Sequence, residues 1–505
     1  MSGQVPIPFA QIPANLRVPL FYVEFNTALN SPGAAPETVL IIGQTIAAQP
    51  EQPIYISSVA AAQALFGAGS QLANMISAYR ANDFLTEIWA LPLADATGAT
   101  KATASITVSG TPTQNGTLFL TVAGALVQVG VTAGQTATAV ASAIQAAIAA
   151  QATLPVTASV ALGVVTLTAN NAGTLGNDCP IVLNYLGPKG GQITPAGVTV
   201  TISTMTAGAT DPTLTTAALQ TALGQTAFAL IVNPYSASAG LAATTGLLSN
   251  VGGRWAYNQQ LYGHAITAQR NTPAALLAAA GTLNDPHLTF LGVNDNSPSP
   301  AWLWAAAFAG AVYPSLQAQP NQPLQTLPVQ GVLPEAAGQE IGFANQQALL
   351  SGACALCART PTGGIAVVRA VTTYLTNANG TPDPAYLDME TLFTLMAVTR
   401  ALRAYVVNTW GRALLAPAGT PLAGAALPGA AVMATPTTVR NGLIGEYQSL
   451  VAGNLTQNAA AFAAGLVVQA NANDNSRLDV LWQPNLVGGL RIFAVLNEFY
   501  FQAAA

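Results

Sequence analysis

Charge is scarce in this 505-residue chain: 14 basic and 19 acidic residues make up 7% of it, against about 25% in ordinary soluble domains. Lysine is almost missing (Lys101 and Lys189 only), and His264 and His287 are the only histidines. Nucleic-acid binding needs clusters of Lys and Arg to neutralise phosphates, so a net charge of −5 argues against that partner. Two histidines cannot fill a typical zinc site unaided. Three cysteines are too few for a disulfide framework. Cys354 and Cys357 form a C-x-x-C, but without the strand-to-helix context of a redox motif or the second pair of a zinc site, and Cys179 lies far away in sequence. They read as small buried thiols in a chain built for a reducing cytoplasm. Although 51% of the residues are hydrophobic, no run reaches the ~18 residues a bilayer crossing needs. Segment 301–312 is too short, and 414–433 is broken by Pro417, Pro421 and Pro428. No membrane insertion is expected.

Catalytic signatures are missing as well. There is no G-x-G-x-x-G after a strand, no G-x-x-x-x-G-K-[ST], no H-E-x-x-H and no G-x-S-x-G. Asp383, Asp388 and Glu390 cluster, but Asp388 and Glu390 fit the first turn of a helix, where the helix dipole favours acids. No catalytic residue, cofactor or metal is expected, although an α/β core could still hide a ligand site at its strand ends. Charge is depleted at the centres of protein interfaces, so the composition favours a subunit of an assembly over a free monomer.

What is present is an alternation of apolar runs and Ala-rich segments. Strands are expected at 38–43, 86–91, 228–232, 261–266 and 288–293, with helices at 59–66, 71–81, 237–248, 273–283 and 300–313. That pattern implies an α/β core with a largely parallel sheet. The Thr- and Val-rich region 97–208 interrupts it; its only charges are Lys101, Asp178 and Lys189. Short strands at 105–108, 117–122, 126–129, 164–168 and 198–202 and a helix over 136–148 make it an inserted β-rich domain. As a separate unit it should be removable without loss of assembly. The expected organisation is an N-terminal arm (1–25), a first part of the core (26–96), the insertion (97–208), a second part of the core (209–322), a C-terminal domain (323–474) and a closing segment (475–505). Within the C-terminal domain, 364–374 reads as a long strand and 387–415 as one long helix. Arg400, Arg403 and Arg412 on that helix are either solvated or intersubunit contacts.

Both ends are peculiar. Segment 490–501 reads as a strand apolar on both faces: Leu490, Ile492, Ala494, Leu496 and Tyr500 on one, Phe493, Val495, Phe499 and Phe501 on the other. Burying about eight large side chains gives roughly 12–24 kcal/mol, and ordering a dozen backbone units costs about as much. The strand therefore needs a sheet to join, in its own subunit or a neighbour. At the other end, Pro6, Pro8, Pro13 and Pro19 forbid a helix. Phe9, Ile12, Leu16, Val18 and Phe21 make this segment too apolar for an idle tail, and it lacks the basic start and continuous apolar core of a signal peptide. An arm that reaches a partner is preferred over one folded on its own domain.

Four blocks carry a family resemblance. The segment Val371-Thr-Thr-Tyr-Leu-Thr-Asn-Ala-Asn-Gly-Thr-Pro-Asp-Pro-Ala-Tyr-Leu-Asp-Met-Glu-Thr-Leu-Phe-Thr394 resembles a signature of contractile tail sheath proteins from Mu-like phages. So do Phe9–Glu24, Leu324–Pro334 and Asn475–Gln502, the last with Arg477-Leu-Asp-Val-Leu-Trp-Gln-Pro484. They stand in family order across the chain. The charge-poor segment 416–429 departs from the family pattern of Lys, Arg and Asp there. The resemblance implies a non-enzymatic subunit, assembled in the host cytoplasm into the virion tail. Such subunits stack as hexameric rings around the tail tube protein, meet baseplate and tail terminator proteins, and add terminal strands to neighbouring sheets. Contraction would switch nearly rigid subunits between two helical packings. A sheath-like subunit of a phage-derived injection device is the alternative, followed by an adhesive β-rich surface protein and an enzyme.

Overall fold

The computed structural model of the chain describes residues 12, 13, 17–19, 21–24, 38–416 and 432–499. An eight-stranded sheet forms its centre, in the order Ile365–Arg369, Ala355–Arg359, Leu288–Asn294, His264–Asn271, Leu230–Val232, Val39–Gln44, Ile88–Leu93, Ile54–Ile56. The six inner strands run parallel and each edge strand is antiparallel to its neighbour. Val39–Gln44 and Leu288–Asn294 are buried along their whole length, as expected when helices cover both faces. The Ala-rich helix Ala301–Ala318 lies on the sheet against Gln71–Arg80. Its small residues permit a close approach: a Cβ on Gly310 would stand 2.4 Å from the Tyr79 carbonyl oxygen. Trp304, Phe308 and Tyr313 of the same helix fill the remaining volume.

Region 97–208 builds an antiparallel sheet (Val198–Ile202, Lys101–Gly110, Val164–Ala172, Val156–Ala161) and a smaller one (Ala125–Val131, Gly116–Val122, Ile181–Leu183), with helix Ala137–Ala149 between them. Its apolar interior is continuous with that of the central sheet. Polar bonds seal the junction: Gln44 Nε2 donates to the Ala172 carbonyl and Asn171 Nδ2 to the Thr45 carbonyl. The sequence marks a separate unit, whereas the structure shares one core across the boundary.

The central sheet extends past 323, since its last two strands lie at 355–369. The expected long strand over 364–374 stops at Arg369. Beyond it, the backbone N–H groups of Thr372 and Thr373 go to the Leu387 and Leu288 carbonyls, while their hydroxyls bond the Tyr386 and Asp285 carbonyls. Two neighbours pulling on adjacent residues end the ladder. The long helix spans Met389–Trp410 rather than 387–415, because Asp388 stands as its N-cap and Leu414–Leu415 pairs with Met433–Ala434. Its first half is buried against the sheet, and its second half packs on a small C-terminal unit. There Tyr447 stacks on Phe462 with ring centroids 3.7 Å apart, and Trp482 meets Phe462 edge-on at 4.6 Å.

Candidate assembly site at the chain termini

The C-terminal segment leaves the molecule from a fixed root. Asn485–Leu486 pairs with Thr456–Gln457 in the small unit, and the Val487 N–H donates to the Leu455 carbonyl. At Gly489 the backbone runs so close to Pro323 that a Cβ would approach its Cγ to 2.5 Å. Arg491 then reaches Glu390 Oε1 at 2.9 Å and Asp388 Oδ2 at 3.4 Å. Asp388 is also gripped by Arg369, through Nε at 2.7 Å and Nη2 at 3.0 Å. Glu390 Oε1 further accepts the Leu324 N–H at 2.8 Å. Both acids belong to the start of the long helix, as the sequence implies, and their partners are arginines from two other parts of the chain.

Past this root the segment has no strand partner among the described residues. Leu490, Ile492, Phe493, Val495, Leu496 and Phe499 are between 69% and 85% exposed. Gln325 Nε2 approaches the Leu490 and Arg491 carbonyls at 3.4 and 3.5 Å, and both bonds are too long to count for much. The apolar run read from the sequence is present, and no sheet of its own subunit receives it as far as residue 499. Phe501 lies outside the described residues.

The N-terminal segment behaves differently. Ile12 is buried and its N–H donates to the Glu24 carboxylate at 3.0 Å. Arg477 donates to the Pro13 carbonyl at 3.1 Å, Gln260 Nε2 donates to the Phe21 carbonyl at 2.6 Å, and Tyr22 faces Tyr257 with centroids 6.2 Å apart. Phe21 is half-buried and Val18 is 67% exposed. Ile12, Pro13, Phe21, Tyr22 and Glu24 thus touch their own subunit or one another; Phe9 and Leu16 lie outside the described residues.

The remaining candidate chemistry is structural. His264 and His287 are buried, bonded to Thr289 Oγ1 at 2.8 Å and Asn250 Oδ1 at 3.1 Å. Burial pushes both imidazoles down, His287 to about 3, so both are neutral at pH 7. Cys354 is fully buried over Gly292 and its thiol is pushed up to about 12; the Cys357 thiol is raised by burial too. Arg400 donates to the Tyr262 carbonyl at 3.2 Å, while Arg403 and Arg412 are exposed. Sequence reasoning missed the ribbon of Val467–Ala470 and Leu478–Leu481 and the helix Pro436–Ala452. The helix had a signal: Thr435 caps it reciprocally with Thr438, and Pro436 occupies its first turn.

Comparison with known proteins matches residues 207–373 to the family model described as phage tail sheath protein central domain. The chain is 34% identical over 498 residues to the Mu-like prophage FluMu tail sheath protein of Haemophilus influenzae, covering 98% of this chain and 99% of that protein. Among solved structures, the sheath tail protein of Desulfitobacterium hafniense aligns at TM-score 0.45 and 12% identity, over 94% of this chain and 100% of that one. The helical sheath of the anti-feeding prophage in its contracted state aligns at TM-score 0.47 and 12% identity, over 96% and 99%.

Proposed function

The chain belongs to the tail sheath family of Mu-like phages, a structural subunit of a contractile tail and not an enzyme, and we propose that it polymerises by strand exchange between copies of itself. The observation that carries this reading is the apolar run from Leu490 to Phe499, exposed and unpaired beyond a firmly held root. Burying its six large side chains against a neighbour would contribute about 9–18 kcal/mol before ordering costs. A receiving edge is available. The ribbon Val467–Ala470 with Leu478–Leu481 has only two strands among the described residues, and two-stranded sheets are marginal in water until further strands join. Backbone hydrogen bonds would then give affinity and alternating apolar side chains would give register.

The N-terminal arm, 1–25, is proposed as a second link. Since Pro13, Phe21 and Tyr22 touch their own subunit, the crossing would fall to what precedes Ile12. The assembled form is proposed to be stacked hexameric rings around a tail tube, ending at baseplate and terminator proteins. Contraction would be a change of packing between linked subunits that drives the tube through the host envelope. Assembly would take place in the host cytoplasm. Electron microscopy of the purified protein tests the reading. Full-length chain should form long hollow tubes, and a truncation removing 492–505 should stay a folded monomer. Tubes of ordinary length from that truncation would refute exchange at this end.

A further inference from the structure

We propose that Arg491 is a clamp that fixes where, and in what direction, the C-terminal arm leaves the subunit; this positioning role rests on the strand-exchange reading. The chain takes an indirect route to its exit. Asn485 and Leu486 belong to the small C-terminal unit, where the Asn485 N–H donates to the Tyr447 hydroxyl at 3.1 Å. Gly488 follows with open space around it, and Gly489 is pressed against Pro323. Arg491 then docks on the other side of this crossing, at the helix start that is itself held by Arg369 of the central sheet. The arm therefore departs from the sheet core, although its last paired strand is in the small unit.

The clamp is more than a surface ion pair. Glu390 is only 2% exposed and its Oε2 has no hydrogen-bond partner, so Arg491 is the one cation within ion-pair distance of this buried carboxylate among the described residues. Removing one partner from such a pair leaves a charge without compensation, which keeps the clamp closed. From Ile492 onward every described side chain is exposed. A tail tethered at a pinned, directed root loses less orientational freedom on docking than one hinged at Gly488, and that preorganisation favours association.

The test compares Arg491→Gln/Glu390→Gln, which removes the cation without stranding a buried charge, with Arg491→Lys and with the 492–505 truncation. For the double variant we expect unchanged monomer melting, a concentration for tube formation raised about tenfold, and proteolytic cleavage moving back from beyond Arg491 towards Gly488. Arg491→Lys should recover part of the assembly, and it also serves as the probe if the double variant fails to fold. Tubes from the double variant at wild-type concentration, with the truncation still monomeric, would overturn the clamp and leave strand exchange standing. Tubes from the truncation would remove both.

Discussion

The Asp178 carboxylate accepts from Arg270 Nε at 2.7 Å and from the Ala301 backbone N–H at 2.6 Å. One side chain of the inserted region thus ties a strand of the central sheet to the start of a helix that crosses it. Asp178→Ala should lower stability by about 1–3 kcal/mol, below the cost of a fully buried pair because both side chains keep partial access to water. Asp178→Asn should lose less. Thermal melts check this, and equal melting of wild type and Asp178→Ala would show the tie to be inert. Excision of 97–208 should yield insoluble protein, since the shared apolar interior would open to water.

Acid should weaken the subunit through its two histidines. Their folded pKa values lie below the unfolded value near 6.5, so the stability they allow is full above that value and is lost as pH falls below it, for His287 down to about 3. Asp285, raised to about 6 by burial, acts in the opposite sense and returns stability as it takes up a proton below that pH. Stability should fall from pH 7 to pH 5, by less than the histidines alone would cause, because burial also raises the Asp178, Glu335 and Glu446 carboxyls, which act in the same sense as Asp285. Urea titrations at the two pH values measure it, and His264→Gln/His287→Gln should flatten or reverse the slope. A wild-type stability independent of pH over this interval would contradict the assignment.

Phe493→Asp with Val495→Asp places two charges on one face of the exposed arm. Neither residue is buried in its own subunit, so circular dichroism and melting of the monomer should not change, while tubes should be lost by microscopy. A fall in the monomer melting temperature would assign the arm to its own subunit.

The cysteines should be inert. Thiols raised this far by burial are almost wholly protonated at pH 7, so maleimide labelling of folded protein should be slow at Cys354 and Cys357 and rapid after denaturation. Cys354→Ser/Cys357→Ser should assemble normally, and stoichiometric zinc lost in this variant would overturn the structural reading. Enlarging the partner is another matter: a Cβ on Gly292 would sit 2.5 Å from Cys354 Sγ, so Gly292→Ala should cost roughly 1–3 kcal/mol by overpacking.

The α/β core was legible because its strands are continuous apolar runs that must be covered on both faces, as in Val39–Gln44 and Leu288–Asn294. Ile54–Ile56 escaped notice because three residues carry no period. Val156–Ala161 escaped because its alternation is diluted by Thr, Ala and Ser. The apolar run from Leu490 to Phe499 was legible from composition alone, whichever sheet receives it. Its root was not, because Arg491 stands about a hundred residues from Asp388 and Glu390 and meets them only through the fold. The shared core beneath the insertion was likewise invisible, since a change of composition marks a boundary without revealing how tightly the two sides adhere.

The helix Met389–Trp410 is a rod of about 33 Å at ~1.5 Å per residue. Its first half is embedded beside the sheet and its far end carries the small aromatic unit. Lever geometry then sets a gain: a tilt of about 10° at the embedded end carries the far end through roughly 6 Å, close to the pitch of one helical turn. A small rotation of the massive half would carry the end that holds Tyr447, Phe462 and Trp482 through several ångströms.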